Sequence, residues 1–139
     1  MDKWKPGASI GALKRRAQMM ASIRHFFSRR SVLEVDVPLL SSSTVTDINI
    51  ESISAKVGGS KGYLQTSPEY FMKRLLASGS GDIYSMSKAF RDGEVGSKHN
   101  PEFTMLEWYR CGWDEHQLID EVIDLISSVI SAPENVTID

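Results

Sequence analysis

Apolar residues recur at helical spacing early in the chain, where Leu13, Ala17, Met20, Ile23 and Phe27 form one stripe among charged neighbours. That period predicts an amphipathic helix over residues 9–30. The pattern then shortens to that of a strand over residues 31–37, and Pro38, which has no N–H to give a ladder, halts it. Ser41, Ser42, Ser43 and Thr44 read as loop. A second strand is expected over 48–57, then a turn at Gly58-Gly59-Ser60-Lys61-Gly62 leading to a short strand over 63–65. Ser67 reads as an N-cap, with Pro68 at the first helical position and Glu69 in the first turn. This helix should run to Ala77 and stop at Ser78-Gly79, while Asp114 caps a last helix through Ile130 that Pro133 ends.

Between the last two helices lies the run Phe90-Arg91-Asp92-Gly93-Glu94-Val95-Gly96-Ser97-Lys98-His99-Asn100-Pro101-Glu102-Phe103-Thr104-Met105-Leu106-Glu107-Trp108-Tyr109. Strand alternation puts Phe103, Met105, Glu107 and Tyr109 on one face, so a ring, a carboxylate and a phenol stand in a row. Upstream, Ile83, Ser85, Ser87, Ala89 and Arg91 share a face whose small side chains leave a hollow ending at a guanidinium. An ordinary amphipathic hairpin accounts for any one of these residues. It does not account for the run, because a turn needs only a few residues and the stretch from Asp92 to Pro101 is long and mixes glycines with Lys98 and His99. The run reads as a site for a nucleotide and a small amine. Short strands in antiparallel hairpins with helices at the margins give an α+β fold.

Composition narrows the classes. With 139 residues, 41% hydrophobic and 24% charged, the chain has the length of one domain and the make-up of a soluble globular protein. No apolar stretch approaches the roughly 20 residues of a membrane span, and Met1-Asp2-Lys3-Trp4 leads into no signal core. A cytoplasmic location is expected. The single cysteine, Cys111, excludes an internal disulfide and reads as a half-buried strand residue; His25, His99 and His116 are too scattered for a zinc site. A net charge of -2 argues against a grip on long nucleic acid. Lys14, Arg15, Arg16, Arg24, Arg29 and Arg30 form the basic exception, read as a solvated helix face or a contact for a negatively charged protein.

The run at 90–109 resembles motif 2 of the class II aminoacyl-tRNA synthetases in its lysyl version, a Phe-Arg-x-Glu start followed by His-Asn-Pro-Glu-Phe-Thr-Met. It is closer still to the truncated lysyl-tRNA synthetase paralogues that modify elongation factor P. Ser67 of Thr66-Ser67-Pro68-Glu69-Tyr70 stands where bacterial lysyl-tRNA synthetases usually have Ala, and Leu106-Glu107-Trp108-Tyr109-Arg110 carries the paralogues' Trp-Tyr-Arg. Val32-Leu33-Glu34-Val35-Asp36-Val37-Pro38 matches motif 1, so early in the chain that no anticodon-binding domain is expected before it. The likeness covers the chain from about Ile10 to Leu125. No motif 3 follows, so the expectation is the N-terminal part of a synthetase-like catalytic domain, inactive in isolation.

The resemblance implies a ligase that activates a lysine-type amino acid, (R)-β-lysine in the family, with ATP and Mg2+, and transfers it to a lysine of elongation factor P. The alternatives are a lysyl-tRNA synthetase fragment and a non-catalytic module that dimerises or binds nucleotide. Arg91, at the motif 2 Arg, would hold the carboxylate and the α-phosphate. His99 would reach the triphosphate, Phe103 would stack on adenine, and Asn100 would help hold the metal-bound phosphates or the loop. The usual acid two places after the Arg is here Gly93; Glu94 is the nearest substitute for meeting the adenine amino group. Glu107 and Tyr109 match the positions that receive the ε-ammonium. Glu69, with Ser67 beside it, matches the carboxylate for the other amino group, and its first-turn position suits a helix-dipole role as well. The resemblance further implies a homodimer through the first helix and the Pro38 strand, and no stable tRNA binding.

Overall fold

A computed structural model describes residues 4–130; Pro133, expected to end the last helix, and Met1, Asp2 and Lys3 lie outside the described residues. The elements in order are α1 (Ile10–Ser28), β1 (Leu33–Glu34), β2 (Leu40–Ser41), β3 (Ser54–Val57), β4 (Ser60–Leu64), α2 (Glu69–Ala77), β5 (Ile83–Phe90), β6 (Glu102–Tyr109) and α3 (Glu115–Ile130). The fold is α+β. Val32–Cys111 forms one compact unit, and the segments before and after it form another.

In the helical unit, Ser9 caps α1 by accepting the Ala12 N–H, and Ser31 leaves the helix at φ 56. Asp114 and Gln117 cap α3 reciprocally, Asp114 Oδ1 accepting the Gln117 N–H at 2.9 Å and Gln117 Oε1 the Asp114 N–H at 3.1 Å. The two helices pack on each other and bury Ile23, Phe26, Phe27 and Leu125. The predicted α1 stripe is covered only at its C-terminal end, for Leu13 and Ala17 are exposed. Five of the six basic residues lie on the exposed surface as expected. Arg30 is the exception: its guanidinium stacks on the Phe26 ring at 3.6 Å and meets Asp124 at 3.1 Å and the buried Glu121 at 3.7 Å.

The sheet unit holds two three-stranded sheets, ordered β1-β5-β6 and β2-β4-β3. β5 and β6 form the expected antiparallel hairpin. Elsewhere the strands are shorter than predicted. Of residues 31–37 only Leu33–Glu34 pairs, and it runs parallel to β5 rather than in a hairpin. Of 48–57 only Ser54–Val57 is strand, because Asp47 folds the start into a turn by accepting from Asn49 and Ile50. Ser41, expected to open a loop over 41–44, is drawn with Leu40 into pairing with β4. The 58–62 turn is tighter than predicted: Gly58 and Gly59, at φ 55 and 86, make a two-residue loop between Val57 and Ser60. Cys111 is exposed just past the end of β6, not half-buried in it.

Ser67 is not the N-cap of α2. Pro68 takes that position, its carbonyl accepting from Met72, while Ser67 Oγ accepts the Glu69 N–H from one residue further out. The helix ends as predicted, with Gly79 at φ 84 and bonds from Gly79 to Leu76 and from Ser80 to Leu75 closing a Schellman motif. Its inner face buries Met72 against Val37 and Ile83, with Leu75, Leu76 and Tyr109 around them. One residue ties this unit's ends together: the Asp82 carbonyl accepts the Leu33 N–H, and its carboxylate accepts from Arg110 at 2.8 Å and from the Cys111 N–H at 2.7 Å.

Candidate functional site

The hairpin register sets Ile83 opposite Tyr109, Ser85 opposite Glu107, Ser87 opposite Met105 and Ala89 opposite Phe103. Directly opposed residues share a face, so small side chains on β5 lie beside large ones on β6. Ser85 and Ala89 are buried, and α2 covers this face at its Ile83–Tyr109 end. This face is covered rather than open, with the Gln65 amide reaching Ser87 at 3.4 Å.

Glu107 is the centre of one cluster. Its Oε2 accepts from Ser67 Oγ and its Oε1 from the Tyr109 hydroxyl, each at 2.7 Å. Burial first, then the bond to Glu107 and its charge, hold the Tyr109 phenol well above its usual range. Glu69 adds to that field and forms an ion pair with Lys73 at 2.5 Å. Ser67, Glu69, Glu107 and Tyr109 thus converge, although they come from a loop, a helix and a strand.

Arg91 centres the second cluster. It lies over the Phe103 ring at 5.3 Å, its Nε donates to the Thr66 carbonyl at 3.4 Å, and it meets Glu94 at 3.4 Å. Both polar contacts are long, so the guanidinium keeps donors that a shorter partner would take. Gly93 has φ 75, where an L side chain is strained; this accounts for a carboxylate at 94 rather than at 93. Backbone bonds from Arg91 to Pro101 and from Asp92 to Glu51 pin the base of the loop. His99 and Asn100 are exposed on it, and His99 is engaged through backbone bonds with Gly96. These two are not brought to the other site residues.

A cavity of about 250 Å3 adjoins the first cluster, lined among others by Ser41, Thr44, Gln65, Ser67, Glu69 and Arg74. It falls just under the about 300–1,000 Å3 usual for drug-sized ligands, so it suits a smaller one. Sequence reasoning missed Gln65, Arg74 and Lys73; for Lys73 the i,i+4 spacing from Glu69 was a usable signal. Among the described residues, no three metal-ligating side chains lie close enough to hold an ion, and no helix is long and apolar enough to cross a membrane.

One cluster thus joins two carboxylates, a phenol and a hydroxyl, and a second sets an arginine over an aromatic ring. The family model described as tRNA synthetases class II (D, K and N) matches residues 7–138, and the chain belongs to that family. Its sheets and helices form part of such a fold. Among individual relatives, it is 55% identical to the elongation factor P--(R)-beta-lysine ligase of Vibrio vulnificus over 134 residues, which is 91% of this chain and 41% of the relative. The ligases of the same name from Pseudoalteromonas translucida and Haemophilus influenzae are 52% and 48% identical, covering 94% and 96% of this chain and 42% and 43% of theirs. The chain thus spans about two fifths of the length of these curated relatives.

Proposed function

We propose that the protein carrying this chain is an ATP-dependent ligase that activates a lysine-type amino acid, (R)-β-lysine, and transfers it to a lysine of elongation factor P. The observation that carries this reading is the joining of Ser67, Glu69, Glu107 and Tyr109 into one cluster, together with Arg91 over Phe103 on the same hairpin. A ligand with two ammonium groups needs two carboxylates, because an unpaired ammonium in a closed pocket is costly. Glu107, with Tyr109, takes the terminal ammonium and Glu69 the other.

Activation forms a bond from the amino-acid carboxylate to the α-phosphorus of ATP and breaks the bond to pyrophosphate. Negative charge grows on the phosphoryl oxygens, and an Arg91 fork spanning carboxylate and α-phosphate steadies it. Phe103 stacks on the adenine and Glu94 accepts from its amino group. His99, and Asn100 near it, reach the triphosphate from the loop, and Mg2+ enters with ATP as part of the substrate. In the second step the acceptor lysine nitrogen attacks the acyl carbon, loses a proton and expels AMP. The ligase works in the cytoplasm as a homodimer, with no stable hold on tRNA.

ATP–pyrophosphate exchange by the protein as its gene encodes it tests this reading. Exchange should depend on a lysine-type amino acid, be best with β-lysine, and vanish in Arg91→Ala. Efficient lysylation of tRNA would overturn it.

A further inference from the structure

Lys73 has no task in the site so far described. It stands one turn after Glu69 on α2, in the order that favours an i,i+4 pair, and such a pair on a helix surface ordinarily adds little. Three observations set this one apart. Its partner lines the cavity beside Ser67. The Lys73 ammonium is held above its usual range by Glu69 first, but Glu107 also acts on it, so it stands in the field of both carboxylates that the proposed function gives to substrate. Its side chain is 56% exposed, so it can leave for water at the cost of one surface pair.

We propose that Lys73 is an exchangeable counter-ion of the amino-acid site: its Nζ holds Glu69 until the substrate's second amino group takes that carboxylate, whereupon Lys73 turns into solvent. This rests on the reading of Glu69 as an amino-acid ligand. Two carboxylates near enough to act on one ammonium repel each other, and that built-in ammonium keeps both ionised and ready. The exchange swaps one cation for another at Glu69, so the substrate gains less there than it would from an unshared carboxylate. Lys73 thereby sets how strongly the pocket distinguishes a diamino acid from one lacking the second amino group. It is a positioning and specificity residue, and it touches no reacting atom.

The test is a comparison of two ligands across variants of the gene-encoded protein. Removing the 3-amino group of β-lysine gives 6-aminohexanoate, which keeps the terminal ammonium for Glu107 and has nothing for Glu69. Dissociation constants are measured by calorimetry, with 6-aminohexanoate in competition against β-lysine where it binds weakly. Lys73→Met should tighten β-lysine roughly two- to fivefold, the equivalent of one exposed pair, and leave 6-aminohexanoate unchanged. Lys73→Arg, which keeps the charge, should behave as the unaltered protein. Unchanged or weaker β-lysine binding in Lys73→Met, or an equal gain for both ligands, overturns the proposal while the function stands. Failure of the unaltered protein to bind either ligand removes the function and the proposal together.

Discussion

Glu107 takes both of its short hydrogen bonds from neutral hydroxyls, so its orientation is fixed while its charge stays available to a ligand. Glu107→Gln should therefore weaken amino-acid binding more than tenfold, since losing a charge-assisted bond to a buried ion costs about 2–5 kcal/mol, and should leave ATP binding nearly intact. Ser67→Ala removes only a neutral donor worth about 0.5–1.5 kcal/mol, so a loss of a few-fold is expected. Calorimetric titration of each variant with β-lysine and with ATP measures both. Tyr109 gives a separate readout. Its phenol ionises at 10.0 when unperturbed, and the fold raises that value, so the stabilisation it provides is complete below about pH 10 and declines as pH rises beyond it. Thermal melts from pH 8 to 11 should show a steeper alkaline fall for the unaltered protein than for Tyr109→Phe. The Ser67–Glu107 bond spans 40 positions in sequence, so no local pattern announces it. Only the likeness to a known site put both residues in one pocket.

At the scale of elements, legibility followed the range of the interactions that make each one. The helices and the β5–β6 hairpin rest on local signals: a 3.6-residue period, caps, a terminal glycine and strict alternation. All were readable within a residue or two. β1, β2 and the start of β3 depend on partners from elsewhere in the chain. β1 pairs with a strand 50 residues later, which cut the predicted 31–37 strand to two residues, and the Asp47 turn shortened its successor. The N-cap of α2 was misplaced by one residue because Ser67 and Pro68 both carry capping signals, and Ser67 Oγ was engaged by Glu107 and the Glu69 N–H. The α3 capping box is local and so has a direct test. Asp114→Ala, which breaks it, should destabilise by about 1 kcal/mol, read as a lowered melting temperature without change in ligand binding.

At the scale of the whole molecule, two apolar faces stand uncovered among the described residues. Ile10 and Leu13 are 68% and 47% exposed on α1, and Ile119, Ile123, Ile126 and Ile130 recur every third or fourth position on α3, each more than half exposed. Faces of this kind are usually interfaces. The proposed homodimer uses the first, in a two-fold contact where the same patch meets itself. Light scattering of the gene-encoded protein should give a dimer that Leu13→Glu weakens; a monomeric unaltered protein would place the α1 face elsewhere. The Asp82 fastening has a consequence for how the chain assembles. By holding Leu33 and Cys111 at one residue, it makes the whole sheet unit an insertion with adjoining ends. Arg30 and Asp124 lie 94 positions apart, yet once the insertion has folded the tether between them is short. Each halving of a loop lowers its closure cost by about 0.6 kcal/mol, so the α1–α3 pairing changes from a distant encounter to a nearly local one. The order of synthesis is then not the order of assembly: α1 waits for α3 before it can pack.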